Sequence, residues 1–364
     1  MRVRKPATGV ALIMVMLMLT MAVIIAAQVM ERIEQDRTRT ANTLALEQAN
    51  AYLLSAEALG VRALAADLVA DQQAGEEIDA CTEQDWAVAI GPLPWDNGIF
   101  QVSVQDLQGR FNLNNLVASH DGERSIDRLQ LERLKRLLKA VLPDTGGAEA
   151  ADALAEEAGD WLDGNTLVDG LGGAEDTEYE TWRTGNQPLG HISELRALRS
   201  ATRELWQAAD DKPLFSRYIT VLPEGTRINV NTAPAEVLQA LAPALGSTGA
   251  DAIIRQREEK PFLSVDEVLA VQVVAAMPQA QRDELKAAIA VNSDYFQVTS
   301  QVAVADRTAR LVSYVYRPRR DEAAQIIQRD LGALFVAPEG ACNPGWNPPE
   351  KDGDDNNPQG GNPA

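Results

Sequence analysis

An acidic segment in the middle of the chain offers the side chains best suited to bind a metal ion. In DWLDGNTLVDGLGGAEDTEYETW, the carboxylate and amide side chains in and around the glycine-rich turn are Asp160, Asp163, Asn165, Asp169, Glu175, Asp176 and Glu178. No Lys or Arg lies between Lys139 and Arg183 to neutralise them. Ca²⁺ takes about six to eight oxygen ligands and tolerates irregular geometry. The segment therefore predicts a calcium site, although its spacing is not that of an EF-hand, and a solvated acidic loop is the alternative.

Two of these carboxylates could instead act as the general acid and base of a glycosidase. Trp161, Tyr179 and Trp182 lie nearby, but no other catalytic signature accompanies them, and we expect no enzyme. A zinc site is not expected either, because the two histidines, His120 and His191, are isolated in the sequence.

The amino terminus carries a long apolar run preceded by basic residues. Arg2, Arg4 and Lys5 come first, and the run from 10 to 27 approaches the ~20 residues that cross a bilayer as a helix. A charged helical sequence follows, without the Ala-x-Ala site at which signal peptides are cut. We therefore expect the run to stay in the chain as an anchor. The basic residues place the amino terminus in the cytoplasm and the remainder across the membrane.

The stretch Ala7-Thr8-Gly9 lies directly before the apolar run. A peptidase on the cytoplasmic face could cut there without destroying the anchor. Cleavage between Gly9 and Val10 is the arrangement of a type IV prepilin, and an uncut signal anchor is the alternative that the spacing leaves open.

Composition limits what the rest of the chain can do. Its 364 residues, 45% of them hydrophobic, suffice for two or three domains. A formal charge of −20 argues against a nucleic-acid surface, which needs clustered Lys and Arg. Cys81 and Cys342 could form one disulfide in an oxidising compartment, with two unpaired thiols as the alternative. The tail, 338–364, is rich in Pro, Gly, Asn and Asp and is expected to be flexible.

The order of periodic segments predicts an α+β fold. The apolar run continues into an amphipathic helix that reaches about residue 68 and needs a sheet or another helix to cover it. Alternating segments at 98–107, 295–305 and 308–316 predict strands of that sheet. A mostly helical block from about 119 to 291 separates the first strand from the other two. A large α-helical insertion therefore interrupts an antiparallel sheet.

The second part of the insertion, 223–291, alternates short helices with turns marked by Pro and Gly. It resembles the helix-hairpin-helix and SAM-like families. Asn231 or Thr232 is predicted to cap one of its helices and Ser264 another.

DNA-binding members of those families grip phosphate through hairpin amides. In this segment acidic residues outnumber the basic residues Arg255, Arg257 and Lys260. Protein contact or plain packing is therefore the expected role, and we expect no nucleic-acid partner.

Six short motifs occur in a fixed order behind the prepilin-like start: DLQGRFNLNNL, DWLDGN, GGAEDTEY, INVNTA, REEKPF and SDYFQV. Each is weak alone, but the ordered set resembles the K-type minor pseudopilins of the bacterial type II secretion system. The resemblance extends from the leader to about residue 334.

The resemblance implies a pseudopilin fold with an α-domain inserted in its sheet. The expected divisions are a cleaved leader 1–9, an N-terminal helix 10–70, a first sheet part 71–118, an inserted α-helical domain with the acidic loop 119–222, a SAM-like part 223–291, final strands 292–337 and a flexible tail 338–364.

The resemblance also implies a function and partners. Members form a complex with I- and J-type minor pseudopilins at the tip of the periplasmic pseudopilus, and they support the export of folded proteins. The expected partners are I-, J- and H-type minor pseudopilins, prepilin peptidase, the inner-membrane assembly platform, exported proteins and the secretin. The expected location is the inner membrane, with the amino terminus in the cytoplasm and the rest in the periplasm. A minor pilin of a type IV pilus or DNA-uptake system is the alternative.

The resemblance also implies roles for individual residues. It implies cleavage after Gly9 and N-methylation of Val10 by prepilin peptidase. Calcium binding is a trait of the family, and the implied ligands are Asp160, Asp163, Asn165, Glu175 and Asp176. Most pilins carry Glu at the fifth mature position, where its carboxylate pairs with the amino terminus of the preceding subunit. Here that position is Met14, as expected of a subunit with no predecessor.

Overall fold

The computed structural model describes residues 8–81, 84–95, 98–142, 147–201, 217–304, 307–319 and 323–331. Its regular elements are, in chain order, α1 (Thr8–Ala74), β1 (Ile90–Trp95), β2 (Gly98–Asp106), β3 (Phe111–Asn112), β4 (Val117–His120), β5 (Glu123–Ile126), α2 (Arg128–Val141), α3 (Gly147–Leu162), β6 (Ile219–Thr220), β7 (Ile228–Asn229), α4 (Ala235–Ala240), α5 (Gly246–Glu259), α6 (Val265–Ala270), α7 (Gln272–Ala275), α8 (Gln279–Ala288), β8 (Ile289–Ala290), β9 (Tyr295–Val304), β10 (Arg307–Tyr316) and β11 (Gln325–Leu331).

The amino-terminal helix α1 has two parts with different surroundings. It is long and apolar enough to cross a membrane, with a mean hydropathy of 2.6 in its most apolar window, and that window is not buried by the rest of the protein. Its second part, from about Ala49, packs on the sheet. The helix extends past the predicted end and stops at Ala74, where Gly75 takes a positive φ of 76° that favours glycine after a helix.

The expected antiparallel sheet is present and has five strands in the order β1-β2-β9-β10-β11. The three predicted strands correspond to β2, β9 and β10. The two outer strands are not predicted by the alternation: β1 contains Pro92 and Pro94, and β11 carries Arg329 and Asp330. Because β2 and β9 are neighbours in the sheet but far apart in sequence, the insertion leaves and returns through adjacent strands.

Small residues bring α1 close to the sheet. A Cβ at Gly60 would lie 2.7 Å from Val298 Cγ1 and 2.9 Å from Val102 Cγ1, so a larger side chain would push the helix away. Ala56 and Leu64 are buried on the same helix face. This face and the inner face of the sheet form one hydrophobic core.

One charged residue also lies on this helix face. Glu57 is buried and accepts hydrogen bonds from Arg329 on β11, with Nη2 to Oε2 at 2.8 Å and Nε to Oε1 at 2.9 Å. Ser313 Oγ on β10 donates to Glu57 Oε1. Burial acts to raise the pKa of Glu57, but these hydrogen bonds hold it below its usual value. The ionised carboxylate therefore ties α1 to two strands.

The inserted domain has its own hydrophobic core, formed mainly by α2 to α8. That core also takes in Phe111 and Leu116, which precede the expected boundary at 119. Two short parallel strand pairs, β3 with β6 and β7 with β8, cross the domain. The change from sheet domain to inserted domain thus lies just after Asp106.

The capping prediction holds for one helix and is wrong for another. Ser264 Oγ accepts a hydrogen bond from Glu267 N at 3.3 Å at the start of α6, as predicted. The helix α4 begins after Pro234 without a side-chain cap. Asn231 instead bonds to both backbone polar groups of Phe262. Thr232 instead donates a hydrogen bond to Asp106 Oδ2.

Among the basic residues of this segment, Arg257 is buried and serves the fold. Its Nη1 donates to Val230 O at 2.6 Å and to Ala233 O at 2.7 Å. Arg257 thus stabilises the chain before α4 and is not available to bind phosphate.

Some sequence predictions lie outside the described residues. These are the tail 338–364, residue Cys342 and most of the leader 1–9. Gly9 and Val10 fall in the first turn of α1. Cys81 is half-buried after α1, and its pairing with Cys342 stays a prediction.

Candidate metal centre and domain junction

The carboxyl end of α3 and the loop after it bring three aspartates together. Asp160 lies in the last turn of α3, Asp163 directly follows the helix, and both side chains are fully buried. Asp169 comes from the following loop. Each offers a ligand oxygen, and these oxygens all lie within 4.8 Å of one another. We refer to Asp160, Asp163 and Asp169 as the aspartate cluster.

Backbone and amide groups of the loop hold the cluster in place. Asp169 N donates to Asp160 Oδ1 at 3.1 Å, which draws the loop back over α3. Asn165 N donates to Asp163 Oδ1 at 3.3 Å, and Asn165 Nδ2 donates to Asp163 Oδ2. Asn165 Oδ1 accepts from Leu167 N at 2.7 Å. Asn165 therefore lies beside the cluster and orders the loop.

Glu175 is buried close to the cluster. Its Oε2 accepts a hydrogen bond from Thr184 Oγ1 at 2.9 Å, whereas its Oε1 is buried and accepts none from the described residues. Burial raises the pKa of Glu175, and the charge of Asp163 raises it further. A buried carboxylate oxygen without a donor is costly unless a cation meets it.

Two further acidic residues of the segment, Asp176 and Glu178, make hydrogen bonds outside the aspartate cluster. Asp176 Oδ1 accepts from Thr184 N at 3.0 Å and from Thr184 Oγ1 at 2.9 Å, and this side chain is partly exposed. Glu178 Oε2 accepts from Glu175 N at 2.9 Å and so closes a short turn. Asp176 therefore shares the Thr184 hydroxyl with Glu175 but is not one of the three clustered aspartates.

The electrostatics of the site favour a cation. Burial, together with the neighbouring carboxylates, raises the pKa of Asp160 to about 7. Burial raises the pKa of Asp163 to about 6, although the hydrogen bond from Asn165 N and the charge of Arg124 act to lower it. Crowded buried carboxylates with no bound cation must either repel one another or take up protons. Arg128 Nη2 lies 2.7 Å from Asp169 Oδ1 and offsets the charge of that carboxylate, but not those of Asp160 and Asp163. Hard oxygen donors, the repulsion among the remaining carboxylates and the unbonded Glu175 Oε1 together fit Ca²⁺.

Glycines shape the loop that carries the site. Gly170 has a φ of 87°. A Cβ at Gly172 would collide with Ala153, and a Cβ at Gly173 would collide with Asp160 Oδ2. The Gly-Gly pair of GGAEDTEY is therefore needed for the close approach of the loop to α3.

A second polar group lies where the inserted domain meets the sheet. Asp106 Oδ2, at the end of β2, accepts from Thr232 Oγ1 at 2.6 Å, Ser293 Oγ at 2.6 Å and Asn229 Nδ2 at 2.9 Å. All four side chains are buried. They belong to the motifs DLQGRFNLNNL, INVNTA and SDYFQV, so three motifs of the ordered set meet at one point. We call these four residues, with Asp79 and Arg317, the domain junction.

Asp79 and Arg317 extend the junction to α1 and β10. Asp79 Oδ2 accepts from Ser293 N at 2.7 Å. Arg317 Nη2 donates to Asp79 Oδ1 and to Ser293 O, and its guanidinium lies 4.5 Å from the ring centre of Phe296. The sequence alone does not predict this junction, because its outermost members, Asp79 and Arg317, are 238 residues apart in the chain. The recurring Asn, Ser and Asp within the motifs were its only signal.

Three asparagines of DLQGRFNLNNL form a further network inside the insertion. Asn112 Oδ1 accepts from Leu222 N at 2.9 Å. Asn114 accepts from Leu189 N at 2.9 Å and donates to Leu222 O at 2.9 Å. Asn115 Nδ2 donates to Thr226 O at 2.8 Å. These side chains hold distant loops of the inserted domain against one another.

The fold and site together define a class of protein. A helix with an apolar, unburied first part and a second part laid on an antiparallel sheet is the architecture of pilin-like subunits. The inserted α-helical domain with its acidic loop separates this chain from a simple pilin.

Comparisons with known proteins give the family. Two models described as type II secretion system, protein K, match residues 109–224 and 228–292. The type II secretion system protein K of Pseudomonas aeruginosa is 31% identical and covers 90% of this chain and 94% of the relative. That of Aeromonas hydrophila is 30% identical, covering 89% of this chain and 97% of the relative. The chain therefore belongs to the type II secretion system protein K family.

A solved structure agrees with this assignment. The GspK–GspI–GspJ complex of enterotoxigenic Escherichia coli matches with a TM-score of 0.65 and 26% identity, over 81% of this chain and 99% of that chain. The resemblance inferred from the motifs is thus confirmed. The family is that of a secretion-system component, which favours this interpretation over a glycosidase or a type IV pilus subunit.

Proposed function

We propose that this protein is the minor pseudopilin at the tip of the type II secretion pseudopilus. There it starts assembly together with I-, J- and H-type minor pseudopilins and supports the export of folded proteins through the secretin. The likeness to the GspK chain of a GspK–GspI–GspJ complex is the observation that carries this proposal.

The position of the insertion supports a terminal place. The described residues between 107 and 294 leave the pilin body between β2 and β9, and they form a domain with its own core. In a helical filament of stacked subunits, a domain of this size would collide with the subunit above. A tip subunit has no such neighbour.

The amino terminus supports the same position. Met14, an exposed side chain of α1, occupies the fifth place after the expected cleavage at Gly9. A subunit within the shaft would need a carboxylate here to pair with the amino terminus of its predecessor, because an unpaired buried charge is costly. Prepilin peptidase would cut after Gly9 and methylate Val10. The anchored subunit would then lie in the inner membrane beside the assembly platform, with its folded part in the periplasm.

Calcium has a structural role in this proposal. Asp160, Asp163 and Asp169 would hold the ion, and we propose that Glu175, through Oε1, and Asn165 complete its shell. The bound ion would neutralise the buried carboxylates and fix the loop on α3. No catalytic step is assigned to these carboxylates.

The test is co-expression of the full-length chain with its I- and J-type pseudopilins and extraction in mild detergent. We expect the three proteins to elute as one complex with equal amounts of each. Separate elution of this chain at micromolar concentrations of all three proteins would refute the proposed assembly role. The Gly60→Leu variant is the negative control, because its larger side chain would displace α1 from the sheet and so disturb the pilin body.

A further inference from the structure

A cavity of about 330 Å³ lies between the inserted domain and the sheet. Leu189 lines it from the inserted domain, and Val312 and Tyr314 of β10 line it from the sheet. Ser313, between these two, bonds to α1, so the cavity lies on the sheet face that points away from α1. Arg110, which directly precedes β3, also lines it. We call it the Arg110 cavity.

The size and lining of the Arg110 cavity suit a small organic molecule. Its volume is at the lower end of the ~300–1,000 Å³ range of small-molecule sites. With about 30 Å³ for each group of the size of a water molecule, it has room for about ten non-hydrogen atoms. Most of the described side chains around it are apolar, including Leu107, Ile192, Ile219 and Leu222. A ligand that fills the cavity therefore needs an apolar body of that size.

Arg110 brings an unpaired positive charge to this cavity. Its Nη2 donates to Gln105 Oε1 at 2.8 Å, and no described carboxylate forms an ion pair with it. Burial lowers the pKa of Arg110, although the charges of Tyr314 and Asp106 act to raise it. No Asp or Glu is among the described residues that line the cavity. Since a buried charge without a partner is costly, the cavity favours an anionic group beside the guanidinium.

The Tyr314 hydroxyl is a second donor at the cavity. Ser193 N donates to His191 Nδ1 at 3.3 Å, so a neutral His191 carries its proton on Nε2 and donates to the Tyr314 oxygen at 3.1 Å. Burial lowers the pKa of His191 and raises that of Tyr314, which keeps the ring neutral and the hydroxyl protonated at neutral pH. The hydroxyl proton of Tyr314 has no acceptor among the described residues and can be donated to a ligand. A guanidinium with a nearby hydroxyl donor suits a carboxylate.

We propose that the Arg110 cavity binds a small monocarboxylate with an apolar body, of the arylalkanoate or medium-chain fatty-acid class. The carboxylate accepts hydrogen bonds from Arg110 and Tyr314, and the apolar body packs against Leu189, Leu222 and Val312. A molecule bound there contacts the inserted domain and the sheet at once. The site uses no residue of the aspartate cluster or of the domain junction, and it does not depend on the proposed function.

The experiment is isothermal titration calorimetry of the full-length chain in detergent with hydrocinnamate, a carboxylate of matching size. The same titration into detergent alone is subtracted. Hydrocinnamamide has the same shape without the charge, and acetate has the charge without the apolar body. We expect hydrocinnamate to bind with a Kd below about 1 mM. The amide should bind at least about tenfold more weakly, because it gives up a hydrogen-bonded charge pair, and acetate should bind more weakly than hydrocinnamate.

Two pairs of variants test the residues. Arg110→Gln should weaken hydrocinnamate binding at least about tenfold, while Arg227→Gln makes the same charge change at an exposed position outside the lining and should leave binding unchanged. The melting temperature of ligand-free Arg110→Gln should not fall, because the variant removes an unpaired buried charge.

The second pair adds a negative charge without touching the buried lining. Ile327, on β11, lines the cavity and is 54% exposed, whereas Leu331 of the same strand is 69% exposed and lies outside the lining. Ile327→Glu should repel the carboxylate and weaken binding about fivefold, and Leu331→Glu should leave it nearly unchanged.

Four results would overturn the proposed site. The first is no binding of hydrocinnamate at millimolar concentration, and the second is equal binding of the amide, which would mean an apolar cavity without a use for the charge. The third is unchanged affinity in Arg110→Gln together with a lower melting temperature, which would make Arg110 a structural residue. The fourth is much tighter binding of a short peptide that ends in Phe, which would assign the cavity to a peptide terminus instead of a free small molecule.

Discussion

Arg317 Nη2 lies 2.5 Å from Asp79 Oδ1, and both side chains are buried. The same guanidinium donates through Nη1 to Leu64 O at 3.3 Å and Asp67 Oδ2 at 3.4 Å. One side chain at the end of β10 therefore holds the last turns of α1 and the segment that follows it. This contact fixes the pilin body at the edge where the inserted domain is attached.

Replacing Arg317 should destabilise the protein strongly. In Arg317→Ala the buried carboxylate of Asp79 loses its closest partner and keeps only the longer contact with Arg319 Nη2, at 3.4 Å. Breaking a buried pair typically costs about 3–5 kcal/mol. The free energy of unfolding is measured by denaturant titration of the full chain in detergent. Arg39→Ala is the control, because Arg39 pairs with Asp36 on the exposed surface of α1 and should change stability little. Equal effects of the two substitutions would contradict this role of Arg317.

Asp67, which lies 3.4 Å from Arg317 Nη1, should make the stability of the protein depend on pH. Burial, with the charges of Asp71 and Asp79, raises the pKa of Asp67 to about 7. The unfolded chain ionises Asp67 near its ordinary value of 3.8, so between about pH 4 and 7 only the folded state keeps the proton. Asp67 therefore makes the free energy of unfolding fall as the pH rises through that window.

In Asp67→Asn this contribution should vanish, so that the slope of stability between pH 4 and 7 becomes less negative than in the wild type. The measurement is denaturant unfolding at several pH values with EDTA present. An unchanged slope would mean that Asp67 ionises normally in the folded protein.

Calcium should stabilise the protein through the aspartate cluster. Asp160→Asn and Asp169→Asn each remove a negative oxygen ligand, and we expect Ca²⁺ affinity to fall at least ~10-fold in isothermal titration calorimetry. Glu180→Gln makes the same change of charge at an exposed position of the same segment, and it should leave affinity nearly unchanged. A loss of affinity in Glu180→Gln as large as in Asp160→Asn would indicate diffuse attraction instead of a site.

Protons should compete with calcium at this site. Asp160 and Asp163 have pKa values raised to about 7 and about 6, so they take up protons as the pH falls through that range. Since Ca²⁺ needs the ionised carboxylates, its affinity should decrease as the pH is lowered from 8 to 5. An affinity that is constant over this range would contradict the assignment of these two ligands.

Much of the fold follows from local sequence. The helix α1 is indicated by its apolar run and its helical period, and β2, β9 and β10 are indicated by their alternation. Each of these signals lies within a single element. The outer strands escaped prediction because Pro92 and Pro94 interrupt β1 and because β11 mixes charged with apolar residues. Their place in the sheet depends on partners far away in the chain.

Less of the candidate site than of the fold could be predicted from the sequence. The composition of the acidic segment indicates a cation site, but only the folded loop distinguishes Asp169, which joins the cluster, from Asp176, which bonds to Thr184. The junction was not predictable, because Thr232 resembles a helix cap in the sequence and donates instead to Asp106. Tertiary contacts decided both cases.

Processing of the amino terminus can be tested by mass. Intact-mass spectrometry of the membrane-extracted protein should show a chain that lacks residues 1–9 and carries one added methyl group on Val10. Changing Gly9 to a bulky residue, as in Gly9→Leu, should leave the chain at full length. A full-length mass for the wild type would mean an ordinary signal anchor.

Immunogold labelling of pseudopili would show whether this subunit occupies the terminal position. An antibody against the inserted domain should place gold at one end of each filament and nowhere along the shaft. Label spaced regularly along the filament length would rule out a terminal position, because the inserted domain would then have to fit between stacked subunits.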